Sequence, residues 1–199
     1  MLGISIIAMT IYLRNNPLRQ NSQSPLLVPV SAESLPSVIS LPVTNTVTSD
    51  SPDGTWTLTV KKQTVNNITT HSILVLNKAD TSETMIFSKI EQSTQDLSIP
   101  FNSWSPDNKY VFVKESTPTV TNYLVFSTSG QPFNTKTPFV NVYDLFVQKY
   151  PEYIFEDITG WAAPYLLIVN SHKTAGDSGT SFWFDVSSQT FTLLSTHFD

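Results

Sequence analysis

The 199-residue chain contains no cysteine, only six glycines and only two arginines. Without cysteine it can have neither a disulfide framework nor a thiolate metal site. Both arginines, Arg14 and Arg19, precede residue 45, and nine lysines are scattered over the remainder without a cluster. A chain of net charge −5 with no basic patch lacks the charge distribution that phosphate binding requires. We therefore expect no nucleic-acid partner, no metal and no cofactor.

Charged residues make up only 14% of the chain, whereas serine and threonine together make up about a quarter. We regard this profile as typical of exported β proteins. Hydrophobic residues account for 40%, and four Trp, seven Tyr and twelve Phe supply bulky core side chains. This composition belongs to a globular chain and not to a disordered one.

A short turn motif occurs twice in the sequence. Residues 51–54 read Ser-Pro-Asp-Gly, residues 105–108 read Ser-Pro-Asp-Asn, and a β-rich run follows each copy. Proline fixes φ, Asp bonds its own backbone, and Gly or Asn tolerates positive φ, so each copy predicts a hairpin turn. A degraded third copy at residues 161–165 predicts a third similar unit. The predicted turn residues are Pro52, Asp53, Gly54, Pro106, Asp107 and Asn108.

The motif, preceded by a small or aromatic residue and followed by several strand formers, resembles the repeat of TolB-type, WD-like β-propellers. The resemblance covers residues 45–199 and implies blades of four antiparallel strands, in which the turn joins the innermost strand to the second. We therefore expect an all-β chain of about three blades. Closed propellers have about four to eight blades, so this propeller is open or incomplete, or the chain is part of a longer one. The three units are expected at residues 45–91, 97–143 and 154–196.

Hydrophobic periodicity agrees with a stack of sheets. Residues 55–60 alternate threonine with apolar side chains, which places one face in a core and the other in water. The runs at 110–113 and 123–126 are continuously apolar, as in sheets that are covered on both faces. The first unit is therefore expected at an exposed end of the stack. For the second unit, we predict a first strand over residues 99–104.

Between the second and third units, residues 142–150 carry apolar side chains at helical spacing and precede Pro151, which predicts a short helix. The third unit carries many apolar side chains in residues 181–195, and an uncovered aromatic face favours association. We expect the predicted helix to cover this face, or a second chain to complete it by self-association.

The N-terminal region has two parts. Residues 1–14 are apolar, and as a helix residues 2–13 would span ~18 Å against a hydrocarbon core of ~30 Å. We expect a truncated anchor or signal that continues upstream; a short amphiphilic leader, or a helix packed on the domain, is the alternative. Residues 15–44 are rich in proline and serine and form a linker or an ordered arm. A membrane-anchored, extracytoplasmic domain is expected, with secretion as the alternative.

Three residues are candidates for binding. Trp104 and Trp161 stand immediately before the turn of their units, where the resemblance implies blade packing and where ligand stacking is the alternative. His172 falls at the end of a predicted strand, beside a loop.

A catalytic alternative comes from residues 176–179, Gly-Asp-Ser-Gly, which resemble the nucleophile segment of chymotrypsin-like serine proteases. His71 and Asp96 precede Ser178 in the order of that family. The flanking residues and spacings differ from the family pattern, and a hairpin loop has the same composition. We therefore expect a non-enzymatic module that binds a protein or a glycan. The alternative is a serine hydrolase that uses Ser178, or a propeller appendage of a hydrolase.

Overall fold

The computed structural model describes residues 41–91, 95–134, 137–174 and 179–198. These residues form twelve strands and one short helix, so the predicted all-β class is confirmed. The apolar segment 1–14 and residues 15–40 of the linker lie outside the described residues. Within the part that is described, no helix is long and apolar enough to cross a membrane.

The strands form three separate four-stranded antiparallel sheets, and each sheet is a meander of consecutive strands. None of them closes into a barrel, so the domain is an open series of propeller-like blades. The first sheet consists of β1 (Val43–Asp50), β2 (Trp56–Val65), β3 (Ile68–Asn77) and β4 (Ser82–Glu91). The second consists of β5 (Asp96–Ser98), β6 (Tyr110–Ser116), β7 (Thr121–Ser127) and β8 (Phe139–Asn141). The third consists of β9 (Tyr153–Ala163), β10 (Leu166–Lys173), β11 (Gly179–Asp185) and β12 (Thr190–Leu193).

Both copies of the motif form a turn, and the two turns have the same hydrogen bonds. In the second copy, the Tyr110 backbone N–H donates to Ser105 Oγ at 3.0 Å, and that hydroxyl donates to Asp107 Oδ1 at 2.9 Å. Asn108 has a φ of 58°, in the left-handed region that Asn tolerates. The first copy repeats these features with Trp56, Ser51, Asp53 and Gly54, the glycine having a φ of 72°.

The two turns also touch each other. Asn108 Nδ2 of the second sheet donates to Asp53 Oδ2 of the first sheet at 2.7 Å. Hydrogen bonds from Ser51 and Thr55, with that from Asn108, hold the pKa of Asp53 well below its usual range. The Asp53 carboxylate is therefore ionised at neutral pH and accepts hydrogen bonds from both turns.

The second sheet is covered on both faces, as its continuous apolar runs predict. Side chains of consecutive strand residues point to opposite faces, so Val111 and Val113 pack on the first sheet while Phe112 packs on the third. The outward face of the first sheet carries the threonines that alternate with Leu58 and Val60, as expected for an end of the stack. The core between the first two sheets comprises Leu58, Val60, Ile73, Val75, Ile86, Leu97, Trp104, Val111, Val113, Leu124 and Phe126.

Two equivalent tryptophan bonds join each sheet to the one before it. Trp104 Nε1 donates to the backbone oxygen of Ser49 in the first sheet at 3.2 Å. Trp161 Nε1 donates to the backbone oxygen of Ser103 in the second sheet, also at 3.2 Å. Each acceptor lies at the same place in its unit, two residues before the first residue of the turn. The repeat in the sequence is therefore also a repeat of the contact between sheets.

The predicted helix is confirmed as α1 (Val142–Lys149). Asn141 caps it by accepting a hydrogen bond from the Asp144 backbone N–H, and Pro151 follows soon after its end. Its buried Phe146 packs against Phe182 of β11, with ring centroids 5.1 Å apart. The helix therefore lies between the second and third sheets and fills their common core.

The expectation that the third unit has an uncovered apolar face is wrong in part. Phe182, Phe184 and Phe191 are buried because they point toward the second sheet and α1, and not outward. The helix thus covers the aromatic side chains on the inner face of this sheet. Trp183 and Leu193 of the same segment remain partly exposed.

The first strand that we predicted for the second unit, over residues 99–104, is wrong. The regular strand β5 covers only Asp96–Ser98, and Trp104 returns to the sheet by a single bridge to Val111. Pro100 has no N–H to donate to a strand, and Asn102 has a φ of 56°, which a strand cannot accommodate. The chain therefore leaves the sheet between Ser98 and Trp104.

We predict that Asp107→Ala lowers the free energy of unfolding by about 1 kcal/mol, because the Ser105 hydroxyl and the Lys109 backbone N–H lose their acceptor. Asn108→Val is expected to cost more than its control Asn108→Gly. Both remove the bond to Asp53, but only valine resists positive φ. Urea titrations measure all three. Stability equal to or above the wild type in Asp107→Ala and Asn108→Val would show that the turn geometry is wrong.

A candidate binding groove between the first and second sheets

The interrupted first strand of the second sheet forms one wall of a groove. In the other two sheets the first strand has 8 and 11 residues, whereas β5 has only three. The loop that follows β5 projects Phe101 into solvent, and the residue is 88% exposed. A phenylalanine this exposed buries almost no apolar surface against the described part of the chain, so packing among those residues does not explain its presence.

Contacts on both sides fix the backbone that carries Phe101. The Ser103 backbone oxygen accepts hydrogen bonds from the Phe112 N–H at 2.9 Å and from Trp161 Nε1. Asn102 packs against Gly160 of the third sheet so closely that a Cβ at Gly160 would lie 3.0 Å from Asn102 Cβ. Gly160 also has a φ of 150°, which other residues rarely adopt. The loop is therefore pre-organised, although it lies on the surface.

The groove has a volume of about 300 Å³. Trp104 is only 4% exposed and lies at its base, where its ring meets the first sheet. The groove is lined by Ser49, Asp50, Pro52, Phe101, Asn102, Ser103 and Trp104.

The polar side chains of the groove comprise the Asp50 carboxylate, the Asn102 amide and the hydroxyls of Ser49 and Ser103. Asp50 accepts hydrogen bonds from Thr57 Oγ1 at 2.7 Å and from Lys78 Nζ at 2.9 Å, and these bonds lower its pKa. The carboxylate is therefore negative at neutral pH. Ser103 is almost fully buried, and its Oγ has no hydrogen-bond partner among the described residues. The Ser103 hydroxyl therefore lies below the surface of the groove, whereas Asp50 and Asn102 are exposed.

This set of side chains is suited to binding. The lining residues include no histidine, lysine or tyrosine, so among them only Asp50 could accept a proton. That carboxylate is already held by Thr57 and Lys78, and its lowered pKa makes it a weak base. An exposed aromatic ring beside hydrogen-bonding groups instead offers one apolar and one polar surface to a ligand.

Of the three predicted binding residues, only Trp104 lines the groove. Trp161 stacks on Tyr110 with ring centroids 6.2 Å apart, and its indole supports the groove through Ser103. Both tryptophans thus take part in the sheet packing that the resemblance implies. His172 belongs to β10 of the third sheet and pairs with Glu156, with Nδ1 2.7 Å from Oε1.

The described residues of the catalytic alternative, His71 and Asp96, lie outside the groove. His71 is fully buried in the first sheet, with Nε2 3.3 Å from Glu91 Oε1. Burial lowers the pKa of His71, and the negative charge of Glu91 opposes this effect without cancelling it. Asp96 pairs with Lys62 at 3.1 Å, and no hydrogen bond joins Asp96 to His71 within the described ranges. Ser178 lies outside the described residues, so the triad stays a prediction.

Sequence reasoning missed Phe101, Asn102, Ser103 and Asp50 as groove residues. Assigning residues 99–104 to a strand placed Phe101 in a sheet, where alternation makes it a core residue. The available signal was Pro100 followed by Asn102, because a proline and a residue that accepts positive φ rarely occur so close together within a strand.

The chain matches no protein-family model and no curated protein sequence. In the described ranges, no three side chains of His, Asp or Glu come together as ligands for a metal ion.

Proposed function

We propose that the protein is a non-enzymatic β-repeat module that binds a protein or glycan partner through the groove between its first and second sheets. The observation that carries this proposal is the solvent-exposed ring of Phe101, carried by a pre-organised loop beside the groove. A backbone that is already fixed loses little conformational entropy when a partner covers its side chain, which favours a binding hot spot.

The groove supplies the two kinds of contact that specific binding needs, apolar contact and polar groups. Phe101 supplies apolar contact, while the exposed Asp50 and Asn102 supply a negative charge and an amide. Burying the Phe101 ring would stabilise a complex by roughly 2 kcal/mol, whereas the polar groups decide which ligand fits. A glycan or a polar peptide loop has the mixed surface that such a groove complements.

We further propose that the chain is an open member of the TolB-like propellers and is tethered outside the cytoplasm by its N-terminal segment. The two Ser-Pro turn motifs and the three blade-like sheets support the first part. The apolar residues 2–13 and the serine- and threonine-rich composition support the second. We expect the protein expressed from its natural gene to stay with membranes after carbonate washing and to be digested by protease added outside the cytoplasmic membrane. Release by carbonate or protection from protease would contradict the tether.

The groove is tested by selecting ligands for the full chain from a glycan array and a phage-displayed peptide library. We expect Phe101→Ala to weaken binding of a selected ligand by at least tenfold, since hot-spot aromatics contribute about 2 kcal/mol or more. Ile90→Ala is the matched control, because Ile90 is also exposed but lies on the first sheet away from the groove. Both variants should unfold within about 0.5 kcal/mol of the wild type. Ligands that bind Phe101→Ala and the wild type equally would place the binding surface elsewhere.

A further inference from the structure

Charged side chains join the first sheet to the second outside the groove. Lys62 Nζ of β2 is 3.1 Å from Asp96 Oδ1 of β5, and Lys89 of β4 pairs with Glu115 of β6. In each pair the lysine belongs to the first sheet and the carboxylate to the second. We call these two ion pairs the charged joint, because they connect the sheets directly.

His71 of β3 lies between the two lysines of the charged joint. The strand register places it opposite Lys62 on β2 and opposite Lys89 on β4. Opposite residues of antiparallel strands point to the same face, so the imidazole and both lysines share the face that packs on the second sheet. His71 is fully buried, and neither ring nitrogen has a hydrogen bond within the described residues. The chain therefore buries a titratable group at the centre of a contact between sheets.

The surroundings of His71 suit the neutral imidazole. A positive charge there would stand directly opposite Lys62 and Lys89, and like charges at opposite positions destabilise a sheet. Glu91 Oε1 lies 3.3 Å from His71 Nε2, but the other oxygen of that carboxylate pairs with Lys89. A buried charge needs hydrogen bonds, which the described residues do not supply to either ring nitrogen. A protonated His71 therefore favours any arrangement that admits water to the ring.

Mild acid acts on this balance in one direction. Burial lowers the pKa of His71 below its ordinary value of about 6.5. Carboxylates on β4 and β5 oppose burial without cancelling it, whereas lysines on β2 and β4 act with it. A closed joint thus binds fewer protons than an open one, so its stability is complete well above about pH 6.5 and falls as the pH drops toward the lowered pKa. The charged groups that face His71 are Glu91, Lys62, Lys89, Asp96 and Glu115.

The carboxylate of Glu115 responds only to stronger acid. Burial raises the pKa of Glu115, but hydrogen bonds from Lys89 and from Asn122 Nδ2 outweigh it, so the pKa lies below its ordinary value of 4.5. Residues 92–95, which connect β4 to β5, include no titratable side chain. Glu115 therefore stays ionised in mild acid, where an imidazole that reaches water takes up a proton.

We propose that His71 is an acid-sensitive switch between the first and second sheets: in mild acid the imidazole takes up a proton, the charged joint opens and the first sheet loosens from the second. Opening admits water to His71 and separates Lys62 from Asp96 and Lys89 from Glu115. The switch does not depend on the groove, on Phe101 or on any ligand.

Two indole protons report separately on the two contacts between sheets. Trp104 bonds the first sheet, whereas Trp161 joins the third sheet to the second. Both protons experience the same intrinsic effect of pH on exchange, so the ratio of their exchange rates measures the difference in protection. In the full chain, we expect exchange of Trp104 relative to that of Trp161 to rise at least about threefold between about pH 7 and about pH 5.5.

Two variants of the full chain assign this rise to His71. His71→Gln keeps a polar side chain that stays neutral in this range, so the rise should be absent. His172→Gln is the matched control, because His172 is a partly exposed histidine of the third sheet, and it should keep the rise of the wild type. Circular dichroism confirms that each variant is folded.

An NMR titration of the wild type gives a second reading that needs no variant. The imidazole signals of His71 should titrate with a midpoint below about 6.5, and the backbone amide signals of Lys62 and Lys89 should follow the same midpoint. A midpoint at or above this value, an unchanged ratio of Trp104 to Trp161 exchange in the wild type, or the same rise in His71→Gln would overturn the proposal.

Discussion

The indole hydrogen bonds of Trp104 and Trp161 determine how the three sheets meet. Each joins a buried or half-buried tryptophan to a backbone oxygen of the preceding sheet, at the same distance of 3.2 Å. An indole N–H that is taken out of water needs such an acceptor, and a backbone oxygen can be supplied by any sequence. The bond therefore recurs between units whose side chains otherwise differ, and it sets the relative position of successive sheets.

The groove is a consequence of this arrangement. The Ser103 oxygen that accepts from Trp161 lies in the loop that carries Phe101, so the contact with the third sheet also fixes the wall of the groove. The equivalent of Trp104 in the first unit is Asp50, which bonds Thr57 and Lys78 within its own sheet. A tryptophan at this position would extend its indole toward another sheet. Asp50 instead directs its carboxylate to the groove.

Much of the fold could be predicted because its signals are local. The Asp107 hydrogen bonds and the positive φ of Asn108 belong to the turn itself, and strand alternation reveals which side chains face a core. The groove and the position of the C-terminal residues 194–198 depend on contacts between distant segments, such as Asn102 with Gly160 and Asn170 with Phe198. No sequence pattern marks either pair. The first pair depends on how far the third sheet is displaced from the second, and the second pair depends on where the C-terminal residues cross the third sheet.

The stacking is tested most directly by hydrogen exchange of the indole N–H protons, followed by NMR. The four tryptophans give four separate indole signals, and Trp183 serves as the internal reference because it is partly exposed on the outer face. Burial and hydrogen bonding protect an N–H from exchange. We predict that the Trp104 and Trp161 protons exchange much more slowly than the Trp183 proton. Exchange of Trp104 and Trp161 as fast as that of Trp183 would contradict the tryptophan-linked stack of sheets.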